Sequence, residues 1–143
     1  MPAQPRIKYK GSRTAHQVVL EGIRFDSRGE GERYLELCIA KARGEIRDFS
    51  LQPRFQIQPA FDKNGVHWRE RVYRADFRVV QLDGHIVIED VKGWHGFSTE
   101  IYKFKKCLVE FKFPHIRIEE VRRNGKNIDK LMEILKGMNH GKN

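Results

Sequence analysis

Apolar residues recur at helical spacing in the stretch that follows Ser27. The residues that repeat at steps of three and four positions are Tyr34, Leu35, Cys38, Ile39 and Ala42. Such spacing places them on one face of a helix. Ser27-Arg28-Gly29-Glu30 matches a capping box, in which the Ser side chain caps the helix and the Glu side chain reaches back. With Gly44 as the stop signal, the pattern predicts a helix from about residue 28 to residue 43.

Two later stretches are also predicted to be helical. Ser98 or Thr99 can cap a helix that ends at Pro114. Its apolar stripe is Ile101, Phe104, Leu108 and Phe111. A short C-terminal helix follows the turn at Asn124-Gly125, and its stripe is Ile128, Leu131, Met132, Leu135 and Met138. This second stripe either docks on the chain's own sheet or serves a homodimer.

Alternation of apolar and polar residues predicts strands between these helices. Residues 18–25 favour a brief strand or packed turn, and residues 45–61 look extended. Pro53 and Pro59 bracket Phe55 and Ile57, which suggests an edge strand or its ends. Residues 62–65 read as a turn, and residues 67–80 and 85–92 as the two strands of a β-hairpin. Ile116, Ile118 and Val121 form a last strand. The order predicts a mixed α/β fold, with a central mixed sheet flanked by helices.

The register of the hairpin decides which acidic residues meet. A three-residue loop of Leu82, Asp83 and Gly84 sets Asp76 directly opposite Asp90, close enough for their side chains to share one cation. A two-residue loop of Asp83 and Gly84 instead moves Asp76 onto the opposite face of the hairpin. Asp-Gly is a good two-residue turn, so both registers stay open.

Charged residues occur at positions where the pattern predicts burial. Asp90 and Lys92 share a strand face with Ile86 and Ile88. An acid and an amine are costly at such positions unless they have partners or a function. Glu30 also falls within the apolar arc of the first helix. The capping box explains Glu30 by itself, although that role does not exclude a second one.

The composition narrows the class of protein. The 143 residues suit one domain, and 28 Lys and Arg against 19 Asp and Glu give a net charge of +9. Such a charge indicates a polyanionic partner, first of all nucleic acid, or merely keeps the protein soluble. Cys38 and Cys107 are far apart and the six His are scattered, which argues against common zinc sites and for a reduced, intracellular setting. No apolar run approaches the length of a membrane span.

The segment after Lys92 combines aromatic and basic residues. Trp94, His95 and Phe97 can stack on bases or pack at the foot of a loop. The basic residues that follow on the predicted helix are Lys103, Lys105, Lys106 and Lys112. They suit phosphate contacts, and equally an ordinary solvated helix face.

Five segments, in this order, resemble the PD-(D/E)XK nucleases. They are Phe25-Asp26-Ser27-Arg28-Gly29-Glu30, Gln52-Pro53-Arg54-Phe55, Tyr73-Arg74-Ala75-Asp76-Phe77, Ile88-Glu89-Asp90-Val91-Lys92-Gly93, and the Lys-rich helix beyond Thr99. The resemblance spans residues 20–121 and is strongest to a small phage and prophage family that groups with phage endonuclease I and the transposon end-cleaving nucleases. The sequence departs at Ala75, where the namesake pattern has Pro, and at Gly29 and Gly31, which weaken the helix start.

The resemblance implies a restriction-endonuclease-like core whose hairpin carries the active site. Asp76 and Asp90 would then bind Mg²⁺, for which Mn²⁺ could substitute, with the carbonyl of Val91 as a further ligand and Glu30 completing the acidic cluster. Lys92 would orient or deprotonate the attacking water. The residues expected to contact DNA are Lys105, Lys103, Lys106, Trp94 and Arg74.

On this basis the chain is expected to be a magnesium-dependent DNA endonuclease. The resemblance favours a branched-DNA or Holliday-junction resolvase in the cytoplasm of a bacterial host. Such resolvases work as dimers, because two strands must be cut, so a homodimer is among the expected partners. An end-cleaving or nicking nuclease of DNA mobility, repair or packaging, and a non-catalytic basic DNA-binding module, remain as alternatives. The expected organisation is a basic arm at 1–16, the nuclease domain at 17–123, and a C-terminal helix and tail at 124–143.

Overall fold

The computed structural model describes residues 17–93 and 99–140. Three stretches therefore lie outside the described residues: the predicted basic arm, the loop segment that contains Trp94, and the last three residues. The strands before the second helix are β1 (Val18–Leu20), β2 (Ile23–Phe25), β3 (Asp48–Leu51), β4 (Arg54–Gln58), β5 (Phe61–Lys63), β6 (Val66–Trp68), β7 (Arg71–Arg74), β8 (Phe77–Val80) and β9 (Ile86–Lys92). The remaining elements are α1 (Arg28–Ala42), α2 (Glu100–Lys112), β10 (Arg117–Arg122) and α3 (Ile128–His140).

The central sheet has the strand order β10-β9-β8-β3. β10 runs parallel to β9, whereas β8 is antiparallel to both β9 and β3. The parallel pair is connected through α2, as parallel strands require a crossover. The sheet is therefore mixed, and the predicted mixed α/β class is confirmed.

The two faces of this sheet bury separate apolar clusters. On one face, Phe77 and Val79 of β8 pack with Leu35 and Leu37 of α1. On the other face, Ile88 of β9 packs with Val109 of α2. Successive residues of a strand point to opposite faces, so β9 contributes Val91 to the first cluster and Ile88 to the second. Asp90 thus shares the α2 side with Ile88, as predicted, and Glu89 points to the α1 side, where it meets Arg33.

The first and third helices follow their sequence patterns. The Ser27 side chain accepts a hydrogen bond from the Glu30 backbone N–H at 3.1 Å, as half of the predicted capping box requires. Gly44 takes a left-handed φ of +74° just beyond the helix end. Ile128 and Leu135 of α3 are buried in the cluster that contains α1. The C-terminal stripe therefore docks within the domain, chiefly on α1, rather than lying free for a homodimer.

The predicted apolar stripe of α2 does not face the sheet. Ile101, Phe104 and Phe111 are exposed by 69%, 67% and 86%, and the buried residue of this helix is Val109. Thr99, one of the two predicted caps, accepts from the Tyr102 backbone N–H at 3.0 Å. The spacing of apolar residues identifies a helix face, but here the sheet contacts the face that carries Tyr102 and Val109.

The predicted single strand over residues 67–80 is wrong. It is divided into β6, β7 and β8, and the last break falls at Ala75 and Asp76. The Ala75 N–H donates to the Pro53 carbonyl, next to β4, whereas the Asp76 N–H donates to the Glu89 carbonyl in β9. The chain changes pairing partner between these two residues, and this is why the ladder breaks there.

The extended stretch predicted over residues 45–61 is also divided, into β3, β4 and the start of β5. Pro53 and Pro59 flank β4, which pairs with β7 in a two-stranded sheet and is therefore an edge strand, as the prolines suggested. The predicted turn lies inside a small hairpin, where Asn64 and Gly65 take φ values of +52° and +76° between β5 and β6. Residues 18–25 form another small hairpin of β1 and β2.

The hairpin of β8 and β9 has the three-residue loop. Phe77 pairs with Glu89 and Val80 with Ile86. The Gln81 N–H donates to the His85 carbonyl at 2.8 Å and closes the loop of Leu82, Asp83 and Gly84. This register confirms the alternative that directs Asp76 toward Asp90, with Asp76 one residue beyond the last paired residue of β8.

Among the helices of the described residues, none is long and apolar enough to cross a membrane.

Candidate active site

One open pocket of about 510 Å³ gathers residues from both helix layers and from the sheet. It lies at the end of β9, where α1 begins on one side and α2 begins on the other. Its lining is Asp26, Glu30, Val72, Tyr73, Arg74, Asp76, Asp90, Val91, Lys92, Thr99, Ile101, Tyr102 and Lys105. All four predicted catalytic residues are in this one lining, although they come from three separate parts of the sequence, near residues 30, 76 and 90–92.

Asp90 lies on β9 and has the least exposed carboxylate of the predicted site. It is 6% exposed, and the Tyr73 hydroxyl donates a hydrogen bond to it. Tyr73 itself is 3% exposed and belongs to the apolar cluster under α2. A buried carboxylate is tolerated only with polar partners. The Tyr73 hydroxyl therefore holds Asp90 in place from inside the core.

Asp76 lies at the break between β7 and β8. Its carboxylate, in a residue 7% exposed, accepts a hydrogen bond from the Val91 backbone N–H at 2.8 Å. This bond joins the residue before β8 to the strand that carries Asp90 and Lys92. The break in the ladder thus turns Asp76 into the pocket and fixes it there.

Lys92 closes the pocket on the side of α2. Its ammonium lies 3.8 Å from the centroid of the Tyr102 ring, which is a cation–π distance. The pKa of Tyr102 is raised by burial, and then by the negative charges of Asp90 and Glu120. The tyrosine therefore stays protonated, and its ring gives the Lys92 ammonium a fixed neighbour.

Glu30 enters the pocket from the capped first turn of α1, so its place in the helix cap and its place in the pocket lining are compatible. Its N–H is capped by Ser27 and the residue lines the pocket. The flanking glycine allows this placement, because a Cβ at Gly29 would lie 2.5 Å from the Arg123 carbonyl oxygen. The glycines that weaken the helix start are thus explained by close packing of this turn.

The residues predicted to contact DNA divide into three groups. Arg74 and Lys105 line the acidic pocket, as does Val91. Lys103 lines a neighbouring groove, and Lys106 lies half-buried elsewhere on α2. Trp94 lies outside the described residues.

Four residues of the pocket and its border were missed from the sequence. Tyr73 and Tyr102 fit apolar patterns, so nothing pointed to their hydroxyl groups. Glu120 pairs in register with Asp90 on the adjacent parallel strand, a relation that depends on the pairing of β9 with β10. Asp26 was within the quoted motif but was not singled out, although it lines the pocket too. Glu120 could have been found by pairing the predicted last strand in parallel with the strand that carries Asp90.

On the other face of β9, Glu89 has a different environment. Arg33 donates to both of its carboxylate oxygens at 2.8 Å, and Glu89 is 3% exposed. Burial alone would lower the pKa of Arg33, but hydrogen bonds and charge from Glu89, and then Glu36, outweigh it and raise the pKa. Arg123 continues this network by donating to Glu36 at 2.7 Å. Bidentate pairs of this kind are strong and geometrically specific.

The oxygen donors of the pocket suit a hard divalent cation. Across residues 17–93 and 99–140, no three His, Cys, Asp or Glu side chains are grouped closely enough to hold a metal ion by themselves. Mg²⁺ needs no such group, because it is usually held by one or two carboxylates while water and substrate phosphate complete its shell. Asp76 and Asp90, beside the backbone of Val91, form a donor set of that size.

Residues 6–129 match a protein family described as "Protein of unknown function (DUF1064)". Comparison with curated proteins and with solved structures finds no match.

Proposed function

The chain belongs to the DUF1064 family of proteins of unknown function, and we propose from its acidic pocket that it is a metal-dependent DNA endonuclease of the PD-(D/E)XK type. One observation carries this proposal: Glu30 from the start of α1, Asp76 from the break before β8, and Asp90 and Lys92 from β9 all line one pocket. A binding module for a polyanion gains nothing from carboxylates beside phosphate, since they repel it. Metal-assisted hydrolysis of a phosphodiester, in contrast, uses carboxylates to hold the metal ion.

Asp76, Asp90 and the Val91 carbonyl would hold Mg²⁺, or Mn²⁺ in its place, with Glu30 completing the acidic lining. When bound, the metal supplies charge compensation at the phosphate and lowers the pKa of a coordinated water. Tyr73 fixes Asp90, and the Val91 N–H fixes Asp76. Lys92 orients the attacking water or takes its proton, and its charge stabilises the phosphate in the transition state.

DNA is the proposed substrate because cations border the acidic pocket on a chain of net charge +9. Arg74 and Lys105 line the pocket itself and suit contacts with the phosphates on either side of the bond to be cut. Branched DNA, such as a four-way junction, is the preferred substrate on the resemblance to phage enzymes. Cleavage of linear ends is the competing substrate within the same chemistry.

The test is cleavage of a labelled four-way junction beside a linear duplex of matched sequence, with Mg²⁺ and with EDTA. We expect cutting of the junction that requires Mg²⁺ and is lost in Asp76→Asn, Asp90→Asn and Lys92→Ala. Asp129→Asn and Lys130→Ala are the matched controls, because both positions are exposed on α3 and outside the pocket. These two variants are expected to cut at the wild-type rate.

The outcomes separate the alternatives. Equal cutting of both substrates keeps the nuclease and removes the junction preference. Binding of DNA without cutting, across Mg²⁺, Mn²⁺ and Ca²⁺, contradicts the nuclease and supports the non-catalytic module. Cutting that survives Asp90→Asn contradicts the assignment of this pocket.

A further inference from the structure

A second cavity adjoins the acidic pocket and is of opposite character. This apolar groove, of about 830 Å³, lies between the outward side of α2 and the ends of β4 and β7. Its lining is Ile57, Gln58, Arg71, Glu100, Ile101, Lys103, Phe104, Lys105 and Leu108. Ile101 and Lys105 line both cavities, so the groove continues directly from the proposed catalytic site.

The floor of the groove is apolar and open to water. Ile101 and Phe104 are exposed by 69% and 67%, and they are two of the residues that a helix of this pattern normally buries. The far wall is fixed, because the Lys112 ammonium donates to the Gln56 and Ile57 carbonyls at 3.0 and 3.1 Å. Phe55 and Phe113 also pack together, with ring centroids 5.5 Å apart. The groove is therefore preformed and not a loose gap.

The rim of the groove is basic. Arg71, Lys103 and Lys105 stand against the single carboxylate of Glu100 within the lining. A second copy of this chain would bring its own net charge of +9 to the same rim, and like charges disfavour that contact. A polyanion with apolar faces complements both the rim and the floor.

We propose that the apolar groove binds unpaired bases of the DNA strand that is cut, so that DNA with a single-stranded segment next to the scissile phosphate binds more tightly than fully paired DNA. This inference rests on the proposed nuclease function and narrows its substrate class. Unpaired bases present flat apolar faces that stack on side chains such as Phe104, while the phosphates between them meet lysines and arginines. Bases inside a duplex are stacked on each other and cannot enter. Lys105, shared by both cavities, holds the backbone between the groove and the acidic pocket.

The test is binding of the full chain to a short labelled single strand and to a blunt duplex, by fluorescence anisotropy in EDTA, where no cutting occurs. Phe104→Ala and Ile101→Ala remove the floor at exposed positions, so folding is preserved. Phe111→Ala is the matched control, because Phe111 is 86% exposed on the same helix and lies outside the groove. We expect Phe104→Ala to weaken single-strand binding at least about fivefold, the lower end for loss of one stacked base. The affinity of the floor variants for the duplex should change less than twofold, because duplex bases do not enter the groove. The single-strand affinity of Phe111→Ala should also change less than twofold, because Phe111 lies away from the stacked bases.

Each remaining outcome is decisive. Unchanged single-strand affinity in both floor variants, or equal losses in Phe104→Ala and Phe111→Ala, overturns the proposal. A wild-type dimer in sedimentation that Phe104→Ala dissociates, with DNA affinity unchanged, makes the groove a self-association face and also overturns it. If the floor variants lose single-strand binding but the wild-type protein never cuts DNA, the groove proposal is supported and only the nuclease function is contradicted. If the wild-type protein cuts the junction but the floor variants bind single strands normally, the groove proposal is overturned and the nuclease function stands.

Discussion

Glu89 and Asp90 are neighbours in β9, both are nearly inaccessible, and they have opposite surroundings. Glu89 faces α1, where the Arg33 guanidinium binds both its oxygens. Asp90 faces α2, where it accepts from the Tyr73 hydroxyl and borders an open pocket. The two residues are exposed by 3% and 6%, so burial alone does not distinguish them. The strand alternation sends one acid into a structural ion network and the next into the candidate site.

The difference shows that the partner of a buried acid, and not its degree of burial, indicates whether the acid serves the fold or lines a candidate site. A bidentate arginine occupies the carboxylate of Glu89 fully and fixes α1 to the sheet. A tyrosine hydroxyl holds Asp90 while the carboxylate still borders a cavity that can admit an ion. Four experiments break or sharpen this contrast, from the largest expected effect to the smallest.

Removing Arg33 should have the largest effect on stability. Arg33→Ala leaves Glu89 buried without its main partner, and we expect a loss of about 3–5 kcal/mol in the free energy of unfolding. Urea denaturation followed by circular dichroism measures this loss. The double variant Arg33→Met with Glu89→Leu replaces both charges by apolar groups and should recover most of it. A single variant as stable as wild type would contradict the structural role of the pair.

Exchanging each acid for its amide should separate activity from stability. Asp90→Asn keeps an oxygen that can accept from Tyr73, so its unfolding curve should stay close to that of wild type. Its cleavage rate should fall more than about a hundredfold, since loss of a residue that merely supports a ligand already costs 10–100-fold. Glu89→Gln should show the reverse, with lowered stability and a rate per folded molecule near wild type. Similar profiles for both variants would remove the distinction between the two faces.

Tyr73→Phe tests how Asp90 is held. The ring keeps its packing and only the hydroxyl is lost, so we expect a cost of about 1 kcal/mol in stability. The cleavage rate should fall about tenfold, as for other residues that orient a ligand. Mg²⁺ titration of the rate gives a second readout, because a misplaced Asp90 requires more Mg²⁺ for half-maximal activity. A normal Mg²⁺ dependence would mean that Tyr73 serves packing alone.

The ion network on the α1 side should also give the smallest effect, a pH dependence of stability. Burial alone would raise the pKa of Glu36, but hydrogen bonds from Arg123 and Arg33 outweigh it and hold the pKa below its ordinary value of 4.5. The folded state thus binds the proton less readily than the unfolded state. The resulting stabilisation is present above pH 4.5 and is lost as the pH falls below that value through the folded pKa. Comparing urea midpoints of wild type and Glu36→Gln between neutral and acidic pH measures it, and the two should converge in acid.

The elements that local pattern determines were predictable from the sequence. The cap at Ser27, the start of α1 and the faces of Asp90 and Lys92 depend on residues close together in the chain. The hairpin register was one of two alternatives, and the structure selects the three-residue loop.

The elements that depend on distant partners were not predictable. The break at Ala75 and Asp76 arises because one N–H pairs toward β4 and the next toward β9. The orientation of α2 is set by the cluster around Tyr73, Ile88 and Val109, which leaves a more apolar stripe in water. The Tyr73 contact with Asp90 and the proximity of Glu120 likewise require the assembled sheet.

The close approach at Gly29 has a consequence for how the protein is made. The first turn of α1 lies against the end of β10, and Arg28 also donates to the Gly125 carbonyl at 3.5 Å. Glu30 is therefore seated by a segment that leaves the ribosome long after Glu30 itself. A nascent chain ending before residue 117 already contains Glu30, Asp76, Asp90 and Lys92, yet it lacks the strand against which that turn packs. The packing that seats Glu30 can therefore form only after residues 117–125 have been synthesised.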